Sequence, residues 1–117
     1  MSKSSLIAVV GVCAVGKSTI VEILREKDYS AIEIAQEHAE LPYLFARSNP
    51  EFVVYLTASD EVIQSRRKYL TGERLQTQRQ LLSYASNCAD VIIDSTGKSL
   101  EGVMDEILIA LHEADIT

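Results

Sequence analysis

Gly11-Val12-Cys13-Ala14-Val15-Gly16-Lys17-Ser18-Thr19 decides how the rest of the chain is read. It fits G-x-x-x-x-G-K-[S/T], a loop pattern that cradles phosphate. Its flanks matter more than the pattern. The apolar run Leu6-Ile7-Ala8-Val9-Val10 precedes it and reads as a buried parallel strand. Ile20, Val21, Ile23 and Leu24 follow at helical spacing, so a helix starts near Lys17. In a strand–loop–helix corner the loop turns backbone N–H groups inward, and the helix N-terminus adds partial positive charge. A polyphosphate is the ligand such a corner holds. Lys17 would bridge its β- and γ-phosphates, and the Ser18 hydroxyl would ligate Mg²⁺. The competing reading is a chance match in an ordinary strand-to-helix turn. Ala14 stands where many loops of this kind have a further glycine; if that position needs a positive φ, alanine costs about 1 kcal/mol.

The chain has 117 residues, enough for one domain with a real core, and residues 1–117 are read as a single nucleotide-binding domain. Apolar content of 47% with 24% charged residues describes a globular protein. A net charge of −6 argues against a nucleic-acid partner held by a basic surface. Two cysteines, Cys13 and Cys88, make no disulfide framework and read as thiols in a reducing cytosol, so a cytoplasmic location is expected. Lys3 followed by Leu6 to Val15 imitates a secretory signal, but the run is too short to cross a bilayer and the Gly-Lys-Ser after it identifies a strand and its loop. No membrane partner is expected.

The first helix is expected from Lys17 to about Lys27. Tyr29 to Ala35 then alternates, with Ile32 and Ile34 opposite Glu33, which suggests a strand near an edge. Gln36 to Pro50 is the least regular stretch. Pro42 can open a short helix, and Asn49-Pro50 turns the chain. This segment starts at a strand's carboxyl end, where open α/β sheets bind ligands, and it contains Gln36, Glu37, His38 and Arg47. It reads either as a solvated loop or as the site for an acceptor substrate, with Glu37 facing the ligand. The two histidines, His38 and His112, show no metal-binding spacing.

Phe52 to Leu56 is a continuous apolar run and reads as a central strand, with Ser59 capping a helix from Asp60 to about Leu70. On that helix Arg66 falls within the apolar stripe of Val62, Ile63, Tyr69 and Leu70, so it needs an anionic partner, either an internal carboxylate or a phosphate. After Thr71-Gly72 one helix is expected from about Glu73 to Asn87. Arg66, Arg67, Arg74 and Arg79 straddle the break and suggest an anion nearby, the alternative being ordinary helix pairing. Ala89 to Ile93 supplies a fourth strand, Asp94 to Gly97 a turn. Ser99 caps a last helix with Leu100, Val103, Met104, Ile107, Leu108 and Leu111 inward.

Strands alternate with helices throughout, so the expected fold is α/β, a small parallel sheet of about four strands with helices on both faces. In these residues the chain resembles the small P-loop kinases: nucleoside monophosphate kinases, dephospho-coenzyme A kinase and similar enzymes. Gly11 to Thr19 carries the likeness most specifically. Val53 to Leu56 with Asp60 to Arg67, and Ala89 to Gly97 with Ser99 to Glu101, extend it. The resemblance implies a three-layer P-loop NTPase fold and transfer of the ATP γ-phosphoryl group to a small-molecule acceptor, a nucleotide being one class that the family suggests. It implies that Arg66 or Arg67, with Arg74, act as lid-type arginines, and that Ser95, Thr96 and Gly97 lie near the adenine. The chain departs from the family in its length, in having room for four strands where five are usual, and in lacking a clear acid after a second apolar strand. Glu37 is the best substitute for that acid, holding Mg²⁺ through water and orienting the acceptor hydroxyl; Asp94 is second. Two rivals remain: a nucleotide-binding or sensing module with little catalysis, and an NTPase that works with a partner protein. The base-reading sequence Asn-Lys-x-Asp does not occur, which favours ATP over GTP. The acceptor is left open, as is assembly into a homo-oligomer.

Overall fold

The computed structural model describes residues 6–11, 16–34, 50–66 and 71–116, except the side chains of 84 and 85. Its apolar runs become neighbouring strands. β1 (Leu6–Gly11), β2 (Ser30–Glu33), β3 (Phe52–Thr57) and β4 (Val91–Asp94) form one all-parallel sheet in the order β2-β1-β3-β4. The helices are α1 (Lys17–Glu26), α2 (Asp60–Arg66), α3 (Gly72–Leu81), α4 (Ser83–Cys88) and α5 (Leu100–Glu113). The expected α/β class and parallel sheet are therefore observed, with β2 at an edge and β3 at the centre as the sequence suggests.

β1 and β3 are covered on both faces, which is why they read as unbroken apolar runs. Ile7, Val9, Val10 and Val54 expose no surface. Side chains alternate across a strand, so register sorts them. Leu56 faces the layer of α1 and α5, meeting Ile20 and Val103 at one cleft. Those two helices adjoin, since Ile23 of α1 and Met104 of α5 line a common groove. Tyr55 and Thr57 face the other way, where Arg79 of α3 donates from Nη1 to Thr57 Oγ1 at 2.9 Å. Burial pushes the Tyr55 phenol up, and the nearby Arg79 guanidinium pulls against it. Helices thus flank the sheet in a way compatible with three layers. On β4, Ile93 pairs with Leu56 and is buried, while Ile92 pairs with Tyr55 at the sheet edge and is 57% exposed.

α1 and α5 end alike. Asp28 and Asp115 take positive φ, 72° and 61°. The next residue then reaches back: the Tyr29 N–H donates to the Leu24 carbonyl at 3.0 Å, and the Ile116 N–H to the Leu111 carbonyl at 2.9 Å. Each is a Schellman ending with aspartate where glycine is usual. Tyr29 and Ile116 pack against the core, completing the hydrophobic contact of the motif. Asp28→Gly is expected to raise stability by about 0.5 kcal/mol, because relief of the left-handed strain outweighs the added freedom of the unfolded chain. Urea unfolding measures this; a loss of stability would show that the Asp28 side chain has a role of its own.

Three expectations are corrected. The helix expected over Glu73–Asn87 is two helices, α3 and α4, meeting at Leu82. Leu82 exposes no surface, and Ser83, Ser86 and Asn87 propagate a helix poorly, so core burial fixes the bend there. Arg66 is exposed instead of core-facing, because α2 buries only Ile63 fully. Leu100 is 48% exposed, since it opens α5 at the rim of the sheet. The continuation of the Asp60 helix to Leu70, and the Pro42 helix, fall on residues outside those described.

Candidate functional site

Chain connectivity selects one place on this sheet. From β1 the chain goes to β2 on one side; β3 and β4 lie on the other, so the strand order reverses between β1 and β3. Open parallel sheets bind ligands in the crevice at the carboxyl ends of such strands. The glycine-rich stretch begins there, at Gly11.

Gly16 is the N-cap of α1 in a left-handed conformation, φ 99°, and brings no side chain to cap the first turn. A Cβ there would meet nothing within 4 Å, so backbone conformation, not space, calls for glycine. Lys17 follows as the first helical residue and is the one buried charged side chain among the described residues, 8% exposed. Its Nζ donates to the Gly11 carbonyl at 2.9 Å, so the ammonium lies against the last residue of β1. Burying an ammonium is costly unless oxygen atoms surround it. Ser18 and Thr19 are exposed on the same turn.

A cleft of about 260 Å³ opens beside this turn, lined by Gly16, Thr19 and Ile20, by Leu56 of β3 and Arg66 of α2, and by Ser95, Lys98, Leu100 and Val103 around the start of α5. Its described lining carries two cations and no carboxylate, in a chain of net charge −6. An anion or a polar ring system carrying anionic groups suits such walls. Lys98 Nζ also pairs with Glu106 at 2.7 Å, a partly exposed bridge on the rim.

The loop after β4 is tied across to the end of β3. The Ser95 N–H donates to the Thr57 carbonyl at 2.8 Å, and the Ser59 N–H to Thr96 Oγ1 at 2.7 Å. Asp94 Oδ1 accepts the Thr96 N–H at 2.9 Å. That hydrogen bond, more than any neighbouring charge, holds the Asp94 carboxyl below its usual value. The folded state therefore favours the ionised carboxylate. Its contribution is complete above the unfolded value of about 3.9 and is lost as pH falls through the lower folded value. Asp94→Asn is expected to flatten the fall in the urea midpoint between about pH 5 and pH 2. An unchanged slope in the variant would remove Asp94 from the acid response.

Of the residues singled out by sequence, the structure brings Gly16, Thr19, Arg66 and Ser95 to this cleft, with Lys17 and Ser18 on the adjoining turn and Gly11 beneath them. Thr96 and Gly97 do not line it: Thr96 holds Ser59, and Gly97, at φ 73°, makes the turn. Arg74 is exposed on α3 away from the lining, and its N–H donates to Thr71 Oγ1, which caps that helix. Val12, Cys13, Ala14, Val15, Glu37 and Arg67 lie outside the described residues, as do Gln36, His38 and Arg47. Sequence reasoning missed Lys98, Leu100 and Val103 as cleft residues. The signal was their position just after a strand's carboxyl end. Among the described residues no group of three His, Cys, Asp or Glu side chains converges to hold a metal, and no helix is long and apolar enough to cross a membrane.

No protein-family model matches the chain, and no curated protein is significantly similar to it.

Proposed function

We propose that the chain is an ATP-binding P-loop protein acting as a small-molecule kinase. The observation that carries this reading is Lys17, a buried ammonium on the Gly11 carbonyl at the glycine-led start of α1, beside a cleft whose described walls are cationic. The triphosphate lies on the first turn of α1, where main-chain N–H groups and Lys17 meet its oxygens. The nucleoside extends into the cleft between Arg66 on one side and Ser95, Lys98 and Leu100 on the other. Mg²⁺ usually keeps several waters and takes one or two protein ligands beside phosphate oxygens, so the exposed Ser18 hydroxyl fits it without a protein cage.

In the reaction the bond between the γ-phosphorus and the β,γ-bridging oxygen breaks, leaving ADP. A bond forms to the acceptor oxygen, whose proton passes to a base, the role assigned to Glu37. Lys17, with Arg66, Arg67 or Arg74, neutralises charge on the moving phosphoryl group. The acceptor is a small molecule with a nucleophilic oxygen; nucleic acid and membrane are not partners in this reading, and the protein works in the cytoplasm, alone or as a homo-oligomer.

A thermal-shift screen with Mg·ATP and Mg·GTP, followed by ADP release across a panel of hydroxyl and phosphate acceptors, tests the proposal. A shift with ATP and release that rises with one acceptor supports it. Binding without acceptor-stimulated release favours a sensing module, and release that requires a second protein favours a partner-dependent NTPase.

A further inference from the structure

Arg79 of α3 has no place in the reaction just described, yet its guanidinium makes three hydrogen bonds to one corner of the chain. Its Nη1 donates to Thr57 Oγ1 at 2.9 Å; its Nη2 donates to the Ala58 carbonyl at 2.8 Å and to Asp60 Oδ1 at 2.8 Å. These acceptors follow one another along the corner where β3 ends and α2 begins. The guanidinium fork is planar and rigid, so bonds to several of its N–H groups fix an orientation as well as a distance.

The same corner is held from the other side. The Ser59 N–H donates to Thr96 Oγ1 at 2.7 Å, and Ser59 Oγ caps α2 by accepting the Val62 N–H at 3.3 Å. Ile63, with no exposed surface, pins the helix to the core. At the far end of this short helix stands Arg66, in the wall of the cleft. Six residues of helix put it about 9 Å beyond Asp60, so a tilt of about 10° at the base moves the far end by about 1.5 Å. Displacements of that size matter in a site that must align a phosphoryl group.

The ion pair itself is a poor explanation for Arg79. The side chains of Arg79 and Asp60 are 31% and 49% exposed, and exposed pairs add little stability. The two partly buried bonds, to Thr57 Oγ1 and the Ala58 carbonyl, together with the exposed one to Asp60, fix the corner in direction, which is what aiming requires. We infer that Arg79 is a positioning residue: it clasps the β3–α2 corner and thereby aims Arg66 into the cleft. This rests on the nucleotide reading above.

The test is a double-mutant cycle in the full chain. Mg·ATP affinity is measured by calorimetry for wild type, Arg66→Met, Arg79→Met and the double variant, with a thermal midpoint for each. Arg79→Met is expected to weaken binding about 10-fold, and the double variant to bind no worse than Arg66→Met alone. Arg79→Lys is not expected to restore affinity, because one ammonium cannot reproduce the fork. Asp60→Ala, which removes one exposed acceptor, is expected to weaken binding about threefold, and it decides the matter if Arg79→Met does not fold. A lower midpoint with unchanged affinity, or losses that simply multiply in the double variant, would overturn the inference while leaving nucleotide binding in place. A wild type that binds no Mg·ATP would bring down the nucleotide reading and this inference with it.

Discussion

Lys17→Ala is expected to lower Mg·ATP affinity by about 10- to 100-fold and acceptor phosphorylation by about 10²- to 10³-fold. The size follows from what the side chain supplies. Its ammonium is held at 2.9 Å from the Gly11 carbonyl and is nearly excluded from water, where hydrogen bonds to a charged group count for more than on the surface. Alanine deletes the charge and the stem together. The fold should survive, because the substitution also removes the cost of burying an ammonium. Lys17→Arg should not restore activity: a planar guanidinium differs in shape from the ammonium that this nearly closed position holds. Calorimetry, a thermal melt and ADP release make the comparison. Turnover close to wild type in a folded Lys17→Ala protein would remove the mechanism.

Leu24→Ala should have the largest effect on stability, a loss of about 3 kcal/mol and a midpoint lower by roughly 10 °C. Leu24 exposes no surface and lies on α1, the helix that carries Lys17. Its carbonyl also receives the N–H groups of Lys27 and Tyr29. Truncation leaves a void between α1 and the sheet, yet the first turn of the helix is nearly two turns away. At a temperature where both proteins are folded, nucleotide affinity should therefore stay within about twofold of wild type. Urea unfolding and calorimetry on the same samples separate the two effects. A stability loss under about 1 kcal/mol would contradict the packing of α1.

These two variants also mark what could be read from the sequence. The strands were legible because β1 and β3 are buried on both faces, and such strands leave a continuous apolar signature in Leu6–Val10 and Phe52–Leu56. The caps at Ser59 and Ser99 were legible because capping is local chemistry, whereas Thr71-Gly72 read only as a break and its cap on α3 is seen in the structure alone. Ser59 and Ser99 each accept an N–H three residues on. The bend at Leu82 was not, because a leucine at helical spacing gives no local sign that the core will hold it at a corner. Arginine roles were hidden for a related reason. Arg79 meets Thr57, Ala58 and Asp60 about twenty residues away in sequence, so spacing along its own helix could not separate it from Arg66, which lines the cleft. Lys98 was not assigned to the site because only the packing of α5 beside α1 turns the residues after β4 toward Gly16.

The exposed isoleucine on β4 has a consequence for the protein's behaviour in crowded solution. An outer strand with an apolar side chain invites another chain to extend the sheet. Here the strand is only four residues long, and Ile92 is followed two residues on by Asp94, an exposed gatekeeper carboxylate, while Asp90 is tied inward by the Val53 N–H at 2.7 Å. The charge on Asp94 discourages stacking of one molecule on the next. The Thr96 N–H that favours the ionised Asp94 carboxylate thus guards the sheet's exposed edge as well as its own turn, so loss of that hydrogen bond should make the strand more prone to self-association.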